Sequence, residues 1–90
     1  MTHDQITEVC NSLDGFLREK NTRYGDSALN PVRVFSGQST LEALLVRMDD
    51  KLSRIKNSDN LRKNDIVDLL GYLVLVCVER GWTDFSELID

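Results

Sequence analysis

The chain has 90 residues, so it forms a single domain that buries only a little over about 60% of the surface its unfolded chain exposes. Its formal net charge of −4 and its pI near 4.9 argue against proteins that coat nucleic acid or bind anionic membranes through bulk charge. No apolar run approaches the roughly 18 residues that indicate a membrane span, so we expect a cytoplasmic protein.

The first helix is predicted over residues 3 to 20. Thr2 followed by Gln5 has the spacing of a capping box, in which two side chains satisfy backbone donors at a helix start. Apolar residues then recur at steps of three and four: Ile6, Val9, Cys10, Leu13, Phe16 and Leu17. The pattern predicts an amphipathic helix with one apolar face.

A long loop is predicted over residues 21 to 38, because no helical period is sustained there. Three residues that interrupt regular structure lie within it: Gly25, Pro31 and Gly37. Loops of this length in compact domains are usually functional or disordered. Four side chains that can pack indicate an ordered loop: Tyr24, Val32, Val34 and Phe35.

The second helix is predicted over about residues 40 to 56. Ser39 and Glu42 form a second capping box. The apolar residues that follow continue at helical steps: Leu41, Leu44, Leu45, Met48, Leu52 and Ile55.

The third helix is predicted to begin at Asp65, after a polar turn over residues 57 to 63, with Asn64 as its cap. It runs to about residue 80, and Gly81 ends it at the position that favours a left-handed backbone. A short final helix begins at Thr83 or Asp84.

Together these elements predict an all-α domain over residues 1–90: a small bundle of three main helices plus a short C-terminal helix, with a long ordered loop between helices one and two. Residues 66 to 78 are apolar almost all round, so we expect a homo-oligomer. Cys10 and Cys77 fall at apolar helical positions and are predicted to be reduced core residues.

Four acidic residues on helices two and three are the first candidate site: Asp49, Asp50, Asp65 and Asp68. Antiparallel helices would align them, and Mg²⁺ prefers carboxylate oxygens while keeping water and phosphate as further ligands. An arginine or a helix start could equally compensate the acids. Asp50 with Arg54 could also be an ordinary surface pair.

Basic residues on the second helix are the next candidates. Arg47, Lys51 and Arg54 follow steps of four and three, so they form one stripe. Arginine binds phosphate with two parallel hydrogen bonds, and lysine acts as a point charge. The stripe could therefore hold phosphates, or it could be a solvated face balanced by the neighbouring acids.

The segment over residues 20 to 27 combines cations, an aromatic ring, a glycine and a hydroxyl. Lys20 and Arg23 could supply charge, and Tyr24 could stack on a base. Gly25 lets backbone amides approach a phosphate, and Ser27 offers a hydroxyl donor. Alternatively, Tyr24 only anchors the loop on the core while Gly25 makes a turn.

The order of these motifs resembles the phage family described as nucleotide modification associated domain 1, over roughly residues 17 to 76. The residues that carry the resemblance are Lys20, Asn21, Tyr24, Gly25, Asp26, Ser27, Asn30, Pro31, Phe35, Arg47, Asp50, Lys51, Arg54, Asp65, Asp68, Leu69 and Tyr72. The resemblance implies a role in phage nucleotide metabolism or DNA modification. It also implies that Lys51 and Arg54 face phosphates and that Tyr24 lies near the base.

The helical half is also similar to the all-α nucleoside triphosphate pyrophosphohydrolases of the MazG and dimeric dUTPase type. In those enzymes, two adjacent acids and a third acid one turn later hold Mg²⁺ together with an acidic pair on the next helix. Asp49 and Asp50 match the adjacent acids, whereas Ser53 stands at the place of the third. The later pair corresponds to Asp65 and Asp68.

This second resemblance implies Mg²⁺ held by Asp49, Asp50, Asp65 and Asp68, with the last three as the catalytic set. Water activated by the metal would attack a phosphoanhydride. We therefore expect a protein of the cytoplasm, or of the host cytoplasm if phage-encoded, that binds a nucleotide or nucleotide-derived ligand and could hydrolyse it. Two alternatives remain: a non-catalytic anti-defence protein that sequesters a nucleotide signal, and a structural oligomerisation module.

Overall fold

The computed structural model describes residues 1–31 and 37–89, and its regular elements are all helical. Helix α1 spans Thr2–Arg23, α2 spans Thr40–Asn57, α3 spans Lys63–Arg80, and a single 3-10 turn spans Ser86–Leu88. Among the described residues there is no strand. The all-α prediction is therefore confirmed. The packing expected of Val32, Val34 and Phe35 falls outside the described residues.

The starts of the three helices test the predicted caps. Ser39 caps α2, because its hydroxyl oxygen accepts a hydrogen bond from the backbone N–H of Glu42 at 3.1 Å. Thr2 instead lies inside α1, whose start at Met1 has no side-chain cap bond, so the first capping box is wrong. The Asn64 cap is also wrong, since α3 begins at Lys63, two residues before the predicted start at Asp65, and the residue before it is the extended Arg62.

The C-terminal part follows the prediction at Gly81 and in the short helix after it. Gly81 ends α3 with a left-handed φ of 75°, as its position indicates. The Asp84 carboxylate accepts hydrogen bonds from the backbone N–H of Ser86 at 3.2 Å and from its hydroxyl at 2.9 Å. The backbone hydrogen bond is the largest cause that lowers the pKa of Asp84. The predicted short final helix is present as a 3-10 helix over Ser86–Leu88, which begins two residues after Asp84.

Packing is concentrated between α2 and α3, which the short connection over residues 58–62 makes antiparallel neighbours. Leu44 of α2 is only 1% exposed and is the one apolar side chain of the described residues that is fully buried. Helix α1 meets α3 over a shorter stretch around Gly71. The pocket described below lies where the three helices meet.

The N-terminal half of α1 lies outside this packed region, because residues 1 to 12 are all exposed. Cys10 is consequently exposed, and its predicted place in the core is wrong. Cys77 is partly buried, and both thiols are free. None of the helices in the described part of the chain is long and apolar enough to cross a membrane.

Candidate functional site

A pocket of about 420 Å³ lies between the C-terminal half of α1, the turn that follows it, and the facing sides of α2 and α3. Helix α1 contributes Phe16, Leu17, Lys20 and Asn21, and Tyr24 follows directly after the last residue of α1. The turn contributes Ser27 and Ala28, and α2 contributes Arg47 and Lys51. Helix α3 contributes Val67, Asp68, Gly71, Tyr72 and Leu75.

Helical spacing places these side chains on common faces. Lys20 lies in the last turn of α1, and Tyr24 ends the helix four residues later, where its backbone N–H donates to the Lys20 carbonyl at 3.0 Å. Arg47 and Lys51 are four residues apart on α2. Residues three or four apart are neighbours on a helix surface, so each pair faces the same way. The pocket is therefore a consequence of three aligned helical faces.

The turn after α1 brings Ser27 and Ala28 back to the pocket. Gly25 and Asp26 both have φ of 60°, a left-handed backbone that glycine adopts freely and aspartate tolerates better than most residues. The backbone N–H of Asp26 donates to the carbonyl of Asn21 at 3.0 Å. This reversal directs the chain back across the end of α1.

Asp68 is the one acidic side chain among the described residues that line the pocket, and it binds two lysines. Its Oδ2 lies 3.1 Å from Nζ of Lys51, and its Oδ1 lies 3.8 Å from Nζ of Lys20. Lys20 also lies over the ring of Phe16, with Nζ 4.8 Å from the ring centroid. Asp68 thus links α1 to α2 through α3.

Arg47 completes the charged lining. It is exposed and forms no ion pair with any residue that the structure describes. The pocket consequently has three cationic side chains and one carboxylate, although the whole chain has a net charge of −4. Its local field favours an anion.

The other predicted acids do not line this pocket. Asp49 and Asp50 are exposed on α2. Asp65 is only 2% exposed, and its Oδ2 lies 3.7 Å from Nε of Arg62. Its Oδ1 has no hydrogen-bond partner among the residues that the structure describes. Its position in the first turn of α3 lets the helix dipole and Arg62 compensate its charge.

Two predicted basic residues also lie outside the pocket lining. Arg23 is the last residue of α1, and its Nε lies 2.9 Å from the carboxylate of Glu19. Arg54 is exposed near the end of α2. The structure therefore brings Lys20, Tyr24 and Ser27 together with Arg47, Lys51 and Asp68, but not with Arg23 or Arg54.

Over 1–31 and 37–89, no group of three or more histidine, cysteine, aspartate or glutamate side chains is arranged to hold a metal ion. Asp68 directs both carboxylate oxygens toward lysines. Binding of Mg²⁺ stays a prediction from the sequence.

Several pocket residues were not among the candidates. The largest missed group lies on α3, where Gly71, Tyr72 and Leu75 follow Asp68 at steps of three, four and seven. That spacing defines one helical face, so extending the face from Asp68 would have found them. Phe16 and Leu17 were predicted as core residues, and they form the apolar wall beside Lys20.

The fold and pocket define a small all-α domain with a basic pocket that also contains aromatic side chains. No protein-family model matches the chain, and no curated protein or solved structure matches it. The resemblance to the phage family stays a prediction.

Proposed function

We propose that the chain binds a nucleotide or a nucleotide-derived ligand in the pocket between its three helices. The observation that carries this proposal is the excess of cations in the pocket of an acidic protein: Lys20, Arg47 and Lys51 against Asp68. A local positive field of this kind attracts a phosphate group even though the bulk charge repels polyanions.

Each cation has a distinct part in the proposed phosphate contact. Arg47 has no ion-pair partner within the described residues, so its guanidinium is available for two parallel hydrogen bonds to phosphate oxygens. Lys51 follows one turn later on the same face of α2. Lys20 approaches from α1, and Asp68 orients it together with Lys51.

The aromatic side chains of the pocket suit the base of a nucleotide. Tyr24 is 65% exposed and Tyr72 is partly buried, so both have ring surface available beside the pocket. Aromatic rings stack on bases with little dependence on the base. The pocket volume of about 420 Å³ falls in the range of about 300–1000 Å³ that is usual for small-molecule sites.

We propose binding in preference to hydrolysis because of where the predicted acidic residues lie. Both oxygens of Asp68 lie near lysines, while Asp50 and Asp65 do not line the pocket. A non-catalytic protein that sequesters a nucleotide-derived signal needs only the cations and rings. The Mg²⁺-dependent pyrophosphohydrolase is the second candidate, and it requires the predicted acids to gather around a metal.

The biological setting is part of the same proposal. The sequence resemblance supports a phage protein of nucleotide metabolism or DNA modification, acting in the host cytoplasm. The free thiols of Cys10 and Cys77 are compatible with that reducing compartment.

The proposal can be tested by calorimetric titration with a panel of nucleotides, with and without Mg²⁺, together with an assay for released pyrophosphate. We expect binding that weakens as salt is raised, because charges screen one another. Lys51→Gln should weaken binding about 10-fold, or about 1.4 kcal/mol. The matched control is Lys56→Gln, which removes the same charge from α2 outside the pocket lining and should leave affinity unchanged.

Two results would overturn the proposal: no nucleotide binds at low salt, or Lys51→Gln and Lys56→Gln weaken binding equally. Pyrophosphate release that depends on Mg²⁺ would favour the enzyme over the sequestering protein. Arg54→Ala tests whether the third residue of the predicted basic stripe contacts the nucleotide. An unchanged dissociation constant would show that Arg54 is not part of the site.

A further inference from the structure

The chain exposes more surface than a compact protein of its mass. Its accessible surface is 7411 Å², whereas a compact monomer of 10.3 kDa exposes about 5400 Å². Its radius of gyration is 14.8 Å, compared with about 12 Å for a compact domain of 90 residues. The excess, about 2000 Å², is larger than the roughly 800 Å² that each partner contributes to a standard interface.

One part of the exposed apolar surface lies on the N-terminal half of α1. Ile6 is 55% exposed and Val9 is 58% exposed, and Cys10 lies beside them. Together with Thr2 and Gln5 they line a shallow depression along one face of the helix. Their steps of three and four residues are those of a helix that packs against a neighbour.

The geometry of α1 and α3 explains why nothing in the described chain covers this face. Lys20 pairs with Asp68, and Leu17 lies against Gly71, so the two helices run antiparallel. On that course, the start of α1 would lie beside the end of α3. Val9 and Val78 are nevertheless half exposed. The helices therefore separate toward the start of α1 and leave an open apolar wedge.

We propose that this wedge is an interface between two copies of the chain, with the N-terminal half of α1 of one copy covered by the other. A second copy brings the same surplus of apolar surface, so the pairing can be self-complementary and closed. The surplus of exposed surface over the whole chain is larger than the area that each partner contributes to a standard interface. The association is independent of the nucleotide pocket.

The charges on α1 argue for a second copy over a lipid surface. Amphipathic helices that bind membranes carry lysine and arginine on their polar faces. The N-terminal half of α1 instead carries Asp4 and Glu8, and the whole chain is acidic. Anionic lipid would be repelled by this helix.

The test measures molar mass by size-exclusion chromatography with light scattering. At high protein concentration, the wild-type protein should have twice the mass of one chain, which is 10.3 kDa. Val9→Glu should shift it to the mass of one chain, because a charge would enter an apolar interface. Asn11→Glu adds the same charge to an exposed position outside the apolar face and should leave the mass unchanged. A monomeric wild type, or equal behaviour of the two variants, would overturn the proposal.

A second readout uses Cys10 and keeps the test decisive if Val9→Glu fails to fold. Alkylation of Cys10, followed by mass spectrometry of its peptide, should slow as wild-type protein concentration rises, because association covers the thiol. A rate of Cys10 alkylation that does not change over the whole concentration range would contradict the interface. Circular dichroism reports whether each variant keeps its helices.

Discussion

The N-terminal half of α1 and the pair formed by α2 and α3 have the same kind of sequence pattern but different surroundings. Leu44 of α2 is 1% exposed, whereas Val9 of α1 is 58% exposed, although both belong to apolar helical stripes. The comparison teaches that periodicity identifies the apolar face of a helix without identifying what covers it. Whether a face is buried depends on the direction in which the neighbouring helices run.

The largest expected effect is the difference in unfolding free energy between a substitution in α2 and one in the N-terminal half of α1. Leu44→Ala removes a fully buried side chain and should lower the free energy of unfolding by about 2–5 kcal/mol. Ile6→Ala in dilute protein, where association is broken, should change it by less than about 0.5 kcal/mol. Urea denaturation of both variants measures the difference, and equal losses would break the comparison.

The next largest effect is the difference in stability between alanine substitutions at two helical glycines. A methyl group at Gly71 would lie 2.9 Å from Cδ2 of Leu17, whereas one at Gly15 meets nothing within 4 Å. Gly15→Ala should therefore stabilise the chain by up to about 1 kcal/mol through helix propensity. Gly71→Ala should be less stable than Gly15→Ala by about 1–3 kcal/mol, because Leu17 must move.

Thermal unfolding of the two glycine variants tests this close approach of α1 to α3. If they were equally stable, Leu17 would not be held against Gly71. Weakened nucleotide binding in Gly71→Ala alone would further indicate that the pocket depends on this contact, since Gly71 and Leu17 both line it.

The helix starts offer a smaller and sharper contrast. Ser39→Ala removes the hydroxyl that caps α2 and should lower stability by about 1 kcal/mol. Thr2→Ala in α1 removes no cap bond and should have almost no effect. Chemical denaturation of the two variants checks the difference, and a loss at Thr2 as large as that at Ser39 would restore the first predicted capping box.

An effect of similar size is expected at Asp68, whose lysine pairs join the C-terminal end of α1 to α2. Asp68→Asn removes the negative charge beside the proposed phosphate position, so nucleotide affinity should rise about 5-fold, or about 1 kcal/mol. Calorimetry measures the change. A loss of affinity as large as that in Lys51→Gln would instead mean that the carboxylate is needed to position the two lysines, or that it holds the ligand or a metal.

The sequence predicted the helical fold, the cap at Ser39 and the end of α3 at Gly81, because each depends on residues close together in the chain. It also selected Lys20, Tyr24, Arg47 and Lys51, which the structure brings to one pocket. Helical spacing alone was sufficient to place each pair on one face.

The remaining features depend on how the helices pack, which spacing does not determine. Asp65 and Asp68 are three residues apart, yet Asp65 is buried near Arg62 while Asp68 faces the pocket lysines. Gly71 was missed because its importance comes from Leu17 on another helix. Cys10 was assigned to the core because its position is apolar, but no described element covers it.

The most direct test is a crystal structure of the chain with the tightest-binding nucleotide from the panel. We expect phosphate oxygens within about 3 Å of Nζ of Lys51 and of the Arg47 guanidinium, with the base beside Tyr24 or Tyr72. A nucleotide bound outside this pocket, or held through Asp49, Asp50 and Asp65 without contact to Lys51, would contradict the account.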